Sequence, residues 1–124
     1  MQRITVLCVG KLKEKFYADA AAEYIKRLSR YCKLDVVELP ETRLPEDPSP
    51  AEIQKALAAE ANAIRQKLEA GAVVAMCIEG KTCSSEALSK KLADFALEGK
   101  SRVTFLIGGS FGLDETLKKQ ADWR

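Results

Sequence analysis

Apolar side chains along this chain recur at two spacings, every second residue or every third to fourth residue. Short runs rich in β-branched residues predict strands, and the longer spacing predicts helices. We expect strands at residues 3–9, 33–39, 72–78 and 103–107. Four helices are expected from apolar stripes at Phe16, Ala20, Tyr24, Leu28 and Tyr31; at Ile53, Leu57, Ala61, Ile64 and Leu68; at Leu88, Leu92, Phe95 and Ala96; and at Leu113, Leu117 and Ala121.

This order of elements predicts an α/β fold with a mostly parallel sheet flanked by helices, in a single domain spanning residues 1–124. The run 72–78 is apolar at nearly every position, so we expect it to be a central strand covered on both faces, with 103–107 as a second central strand. Segment 40–50 holds all four prolines and is predicted to be an exposed loop. Helix ends are predicted at single residues: an N-cap at Ser84 and stops at Gly71 and Gly99.

Composition excludes several kinds of chemistry. The chain has no histidine, which removes Ser-His-Asp and Cys-His catalysis and His-ligated metals. The four cysteines form no C-x-x-C pair, and we interpret them as structural. Residues 1–35 carry eight basic and four acidic side chains, so a phosphate-facing surface near Lys11 is one reading and ordinary solvated lysines are the other.

The longest apolar stretch, 72–78, is far shorter than the roughly 20 residues that cross a bilayer. The first residues lack the pattern of a cleavable signal peptide. These two features predict a cytoplasmic protein.

Three predicted strands end in glycine-containing segments, at residues 9–11, 78–81 and 107–112. Because the carboxyl ends of parallel strands share one edge, this edge is the candidate ligand site. None of the segments has the spacing of a P-loop, and 108–112 lacks that of a Rossmann dinucleotide site. Glu79 is the one carboxylate expected at these exits, and Ser110 is interpreted as a helix N-cap rather than a ligand hydroxyl.

Several motifs together resemble a known family. They are the run ITVLCVGKLKEKFY from Ile4, the helix pattern AEYIKRL from Ala22, IEGK followed by SSE from Ile78, and IGGSFGL from Ile107. This combination is similar to the ribosomal RNA large subunit methyltransferase H family, which belongs to the SPOUT superfamily of knotted α/β methyltransferases. The resemblance implies S-adenosylmethionine as methyl donor, N3 of a pseudouridine in 23S rRNA as acceptor, a homodimer and no metal.

Carried over by position, the resemblance implies that Met76 and Gly108 bind the cofactor, flanked by Gly109 and Ser110. The family has leucine at the position of Met76, and methionine fills similar apolar space. Lys11 and Arg27 are the candidates for contacts with rRNA phosphates. The catalytic base is left unassigned.

Members of this family continue past the position of Arg124 with a strand and a knot-forming helix, so we expect a SPOUT α/β-knot-like fold with the knot-forming C-terminal segment missing. On that basis we expect weak cofactor binding, impaired methylation, and association of copies through an unfinished sheet edge beside the glycine loop. A non-catalytic RNA-binding or dimerisation module is the alternative. A flavodoxin-like nucleotide binder is a third possibility, which lacks a hydroxyl-rich phosphate loop after the first strand.

Overall fold

The computed structural model describes residues 2–124. Strands and helices alternate as the spacing predicts: β1 (Gln2–Val9), α1 (Lys15–Leu28), β2 (Cys32–Leu39), α2 (Pro50–Lys67), β3 (Ala72–Met76), α3 (Ser85–Leu97), β4 (Arg102–Ile107) and α4 (Glu115–Gln120). The four strands form one sheet in the order β2-β1-β4-β3, and every pairing is parallel. The predicted α/β fold with a parallel sheet is confirmed.

Strand β3 differs from its prediction in length and in place. It ends at Met76 rather than at residue 78, because Gly80 N donates to Cys77 O in a turn. Within the described residues β3 pairs with β4 alone among the strands, so it is not a central strand. Its outer edge is nevertheless covered, since Ala75 N donates to Trp123 O at 2.9 Å. The expectation of a bare edge is therefore wrong at this point of the sheet.

Apolar side chains pack on both faces of the sheet. One cluster combines strand residues with residues of α2, of α4 and of the segment just before α4: Leu7, Val9, Ala61, Ile64, Ala75, Leu106, Leu113 and Leu117. The other lies towards α3 and consists of Ala72, Val74, Phe95 and Val103. Neighbouring residues of β3 and β4 alternate between the two clusters, as side chains of a strand must. This double-sided packing accounts for the apolar run at residues 72–75, whereas Met76 and Ile78 beyond it are exposed.

Helix α1 is the exception to this packing, because none of its residues is buried. Its predicted apolar stripe is largely exposed: Phe16 and Tyr24 each retain 63% of their accessible surface. Tyr31 lies beyond the end of the helix and is 73% exposed. The spacing predicted the helix correctly, but the burial of its apolar face is not found.

The helix ends follow local chemistry in most places. Ser84 caps α3 by accepting from Ala87 N at 3.0 Å, and α3 stops just before Gly99, as predicted. Helix α2 begins one residue inside the predicted loop, because Pro50 takes the first helical position, where its missing N–H costs nothing. It ends at Lys67 with Leu68 extended, so Gly71 does not cap it. Of the stripe predicted for α3, Phe95 alone is buried, and Ala96 is exposed.

No helix among residues 2–124 is long and apolar enough to cross a membrane.

Candidate functional site

The carboxyl ends of the strands bring the predicted glycine segments to one edge of the sheet. Gly10, which follows β1, donates its N–H to Leu39 O at the end of β2, at 2.7 Å. On the other side, Met76 is the register partner of Ile107, which immediately precedes Gly108. Met76 and Gly108 therefore lie next to each other because adjacent parallel strands end at the same level.

Residues 108–112, here called the glycine loop, form a closed turn after β4. Gly109 and Gly112 form an antiparallel bridge, with Gly112 N donating to Gly109 O at 3.1 Å. A Cβ on Gly108 would come closer than 3.0 Å to the backbone O, C and Cα of Gly112. Only glycine fits at position 108, since the close neighbour is rigid backbone rather than a movable side chain.

Ser110 does not cap a helix. The N-cap of α4 is Asp114, whose Oδ1 accepts from Leu117 N at 3.2 Å. Ser110 instead donates its backbone N–H to Glu41 Oε1 at 2.7 Å. The prediction failed because α4 begins several residues after the glycine loop, where a second capping residue is available.

Glu41 is the site residue that the sequence analysis missed. It follows β2 by two residues, in the proline-rich loop, so Glu79 is not the one carboxylate at this edge. The hydrogen bond from the Ser110 backbone lowers the pKa of Glu41 below its ordinary value. Its position just after a strand is the signal that could have identified it, but β2 is followed by Pro40 rather than by a glycine, so the glycine segments do not point to Glu41.

Glu79 follows β3 and forms an ion pair with Lys118 of α4. Lys118 also pairs with Glu115 at 2.9 Å, and its side chain is largely buried. The hydrogen bond from Lys118 lowers the pKa of Glu79, and the same bond raises the pKa of Lys118. This pairing ties the turn after β3 to the last helix and leaves Glu79 ionised at neutral pH.

Two adjoining cavities flank the end of β3. The first, of about 240 Å³, is mainly apolar, and its lining includes Met76, Cys77, Leu88, Phe105 and Trp123. The second, of about 570 Å³, is more polar and contains Glu79 and Lys118. Gly80, Lys81, Trp123 and Arg124 line both, so the two cavities adjoin along this side of the edge.

A third cavity, of about 500 Å³, lies between α1 and the side of the sheet formed by β1, β2 and the end of β4. Lys11 and Gly108 line it, together with Tyr24 and other apolar residues of α1. Arg27 lies outside this cavity; its Nε pairs with Glu23 at 3.0 Å, and its guanidinium stands 5.8 Å from the ring centre of Tyr24. Lys11 is thus at the edge that carries the glycine loop, whereas Arg27 is held on the surface of α1.

The cysteines are all free thiols, and Cys83 is exposed while the other three are partly buried. Burial raises the pKa of the Cys8 thiol, which makes it a poor nucleophile. Residues 2–124 contain no group of three or more His, Cys, Asp or Glu side chains placed to hold a metal ion.

Comparison with known proteins gives a consistent result. The family described as "Predicted SPOUT methyltransferase" matches residues 2–124. The chain is 46% identical to the ribosomal RNA large subunit methyltransferase H of Streptococcus suis over 121 residues, which are 97% of this chain and 76% of that protein. It is 44% identical to the protein of the same name from Leuconostoc citreum over 120 residues, 96% of this chain and 76% of that one. On the strength of both matches and of the parallel α/β sheet, the chain belongs to the SPOUT methyltransferase family.

Proposed function

We propose that the protein methylates 23S rRNA at N3 of a pseudouridine, with S-adenosylmethionine as methyl donor. The observation that carries this proposal is the place of Met76 beside Ile107, the residue before the glycine loop, at the carboxyl edge of a parallel sheet in a chain whose residues 2–124 match a methyltransferase family. The names of the relatives support an rRNA substrate. A ribosomal substrate agrees with the predicted cytoplasmic location.

The residues at the edge fit such a cofactor. The apolar cavity at Met76 is smaller than the roughly 300–1,000 Å³ of pockets for drug-sized ligands, and it suits a flat apolar group such as adenine. The polar space beside it suits the hydroxyl and amino acid groups. The Gly108 position, which has no room for a Cβ, keeps loop backbone close to the strand ends. We propose that Met76 and Gly108 bind the cofactor, and that Gly109 and Ser110 flank it.

S-adenosylmethionine, when bound, supplies an electrophilic methyl group on sulfur. The work left to this chain is alignment, because transfer requires the acceptor nitrogen to stand in line with the methyl–sulfur bond. Met76 lines the apolar cavity after β3, whereas Gly108 lines the cavity beside α1, so the two proposed cofactor contacts lie on either side of the end of β4. For the transfer to balance, the methyl–sulfur bond would break as the nitrogen–carbon bond forms, S-adenosylhomocysteine would leave, and the proton on N3 of the pseudouridine would pass to solvent water, because no catalytic base is assigned in this chain.

We propose that Lys11 contacts an rRNA phosphate, since it is exposed and lines the cavity beside Gly108. Arg27 is the second proposed phosphate contact, and it would first have to leave its pair with Glu23. The homodimer implied by the resemblance stays a prediction, which sedimentation velocity over a range of protein concentrations will measure.

One observation favours the alternative of a non-catalytic RNA-binding or dimerisation module. Helix α1 exposes aromatic side chains next to the lysines of the preceding loop, and the rings of Phe16 and Tyr17 lie 4.3 Å apart. Exposed rings among lysines suit unstacked RNA bases as well as a protein partner. Such a module would bind RNA or itself while giving no methylation.

The test is methyl transfer from labelled S-adenosylmethionine to large ribosomal subunits that lack the modification, with calorimetric titration of the cofactor alone. Incorporation at a pseudouridine, located by a block to reverse transcription at the methylated N3 face, is the expected result. Cofactor binding without incorporation would support the proposed cofactor site and contradict the proposed methylation of rRNA. RNA retention with neither cofactor binding nor incorporation would favour the module.

A further inference from the structure

Glu41 and Ser110 join two loops that are 69 residues apart in the sequence. The first is the proline-rich segment after β2, and the second is the glycine loop after β4. Strands β2 and β4 are not neighbours, because β1 lies between them. The Glu41 side chain therefore spans the end of β1 to reach the Ser110 backbone, and it ties both halves of the carboxyl edge together.

The glycine loop is shaped to receive this carboxylate. A Cβ on Gly109 would lie 2.7 Å from Glu41 Oε1 and 2.9 Å from its Cδ. Glycine at 109 thus leaves the space that the Glu41 carboxylate fills. Two adjacent loop positions serve the contact, one by donating an N–H and the other by lacking a side chain.

Charge strengthens the contact. A hydrogen bond from a backbone N–H to an ionised carboxylate is shorter and stronger than one between neutral groups, and the 2.7 Å separation is in that range. The lowered pKa of Glu41 agrees with preferential binding of its charged form. The bond is exposed to solvent, and the positive charge of Lys13 also favours the ionised form of the Glu41 carboxylate that accepts it.

We propose that Glu41 is a positioning residue that holds the glycine loop in its ligand-binding shape through Ser110. This inference rests on the proposed function, because it takes S-adenosylmethionine as the ligand at Gly108. Without the carboxylate the loop keeps its internal bond from Gly112 to Gly109 but loses its one described link to the β2 side of the edge. Cofactor binding then has to order the loop, and affinity falls.

The contact itself is tested by NMR without any ligand. In the wild-type chain the Ser110 amide is expected to resist hydrogen exchange and to shift as pH is lowered through the pKa of Glu41. Glu41→Gln keeps an acceptor oxygen, so protection is partly retained while the pH-dependent shift disappears. Glu41→Ala loses both. Glu46→Ala and Glu46→Gln, in the same exposed loop, are the matched controls and leave the Ser110 signal unchanged.

The consequence for binding is tested by titrating the same variants with S-adenosylmethionine at several pH values. We expect Glu41→Ala to weaken binding about tenfold, as for loss of one charge-assisted hydrogen bond, and Glu41→Gln to weaken it about threefold. Wild-type affinity should fall as pH drops through the Glu41 pKa, and this dependence should vanish in Glu41→Gln. A purely structural role would lower stability without producing that pH profile.

The outcomes separate the two proposals. If the wild-type chain binds no S-adenosylmethionine, the proposed function fails, and the NMR experiment still decides whether Glu41 holds the loop. If the wild-type chain binds and Glu41→Ala binds within twofold of it, the positioning role is overturned while the proposed function stands. A Ser110 amide that neither resists exchange nor responds to pH overturns the contact itself.

Discussion

Replacing Gly108 by alanine puts a methyl group where the glycine loop has its own backbone. The added carbon would come within 3.0 Å of three backbone atoms of Gly112, and ordinary van der Waals contact begins at 3.4 Å. The Gly112 peptide would have to move by about 1 Å. Such a backbone shift costs free energy in the same way as inserting an extra methylene group into a well-packed core. That movement pulls Gly112 N away from Gly109 O, so a hydrogen bond worth about 1 kcal/mol is lost as well.

We expect Gly108→Ala to lower the free energy of unfolding by about 2 kcal/mol, because local opening of the loop limits the cost. Urea unfolding followed by circular dichroism measures this value. Calorimetric titration of the folded variant should show at least a tenfold loss of affinity for S-adenosylmethionine, since the displaced backbone belongs to the proposed cofactor site.

Gly112→Ala is the matched control within the same loop. Gly112 has a positive φ of 82° but open space where a Cβ would stand, so alanine there adds backbone strain of about 1 kcal/mol and no collision. The collision argument requires Gly108→Ala to cost more than Gly112→Ala. Equal stability of Gly108→Ala and wild type, with unchanged cofactor affinity, would refute the closed loop geometry.

Three other perturbations test separate parts of the fold. Leu106→Ala, at a fully buried position of β4, should cost about 3 kcal/mol in urea unfolding, because it leaves a cavity in the cluster that packs between the sheet and helices α2 and α4. Asp122→Ala removes the carboxylate that accepts from Val73 N at 2.8 Å, so the emission of Trp123, the one tryptophan, should shift to the red. The lowered pKa of Glu41 stabilises the fold fully above pH 4.5, the ordinary pKa of a glutamate, and this stabilisation is lost as pH falls through the lowered pKa. Glu41→Gln should therefore remove the contribution of Glu41 to the acid-unfolding curve.

Each of these has a contrary result. A Leu106→Ala variant within 1 kcal/mol of wild type would mean that the core relaxes around the missing atoms, against the expectation for a well-packed site. Unchanged Trp123 emission in Asp122→Ala would mean that the main-chain bonds from residues 122 and 123 to β3 are sufficient on their own. Identical acid-unfolding curves for wild type and Glu41→Gln would mean that Glu41 does not contribute to the pH dependence of stability.

The sequence was sufficient for the order of strands and helices, for the parallel sheet and for the edge at which the glycine segments gather. These properties depend on local spacing, because β-branched runs, helical stripes such as Ile53 to Ile64, and the N-cap at Ser84 are each determined by a few neighbouring residues. Alternation of strands with helices then requires crossovers that make the sheet parallel, so the carboxyl ends have to meet.

The tertiary structure decided what depends on contacts between distant residues. The place of β3 at the end of the strand order depends on how distant strands pair. The apolar sequence of β3 does not show this place, because a strand between two others and a strand covered by a terminal segment can have the same apolar pattern. The exposure of α1 likewise depends on what packs against it, which its own spacing does not encode. The bond from Ser110 to Glu41 joins loops from two non-adjacent strands, so it forms only because the fold brings the Glu41 carboxylate within 2.7 Å of the Ser110 backbone N–H.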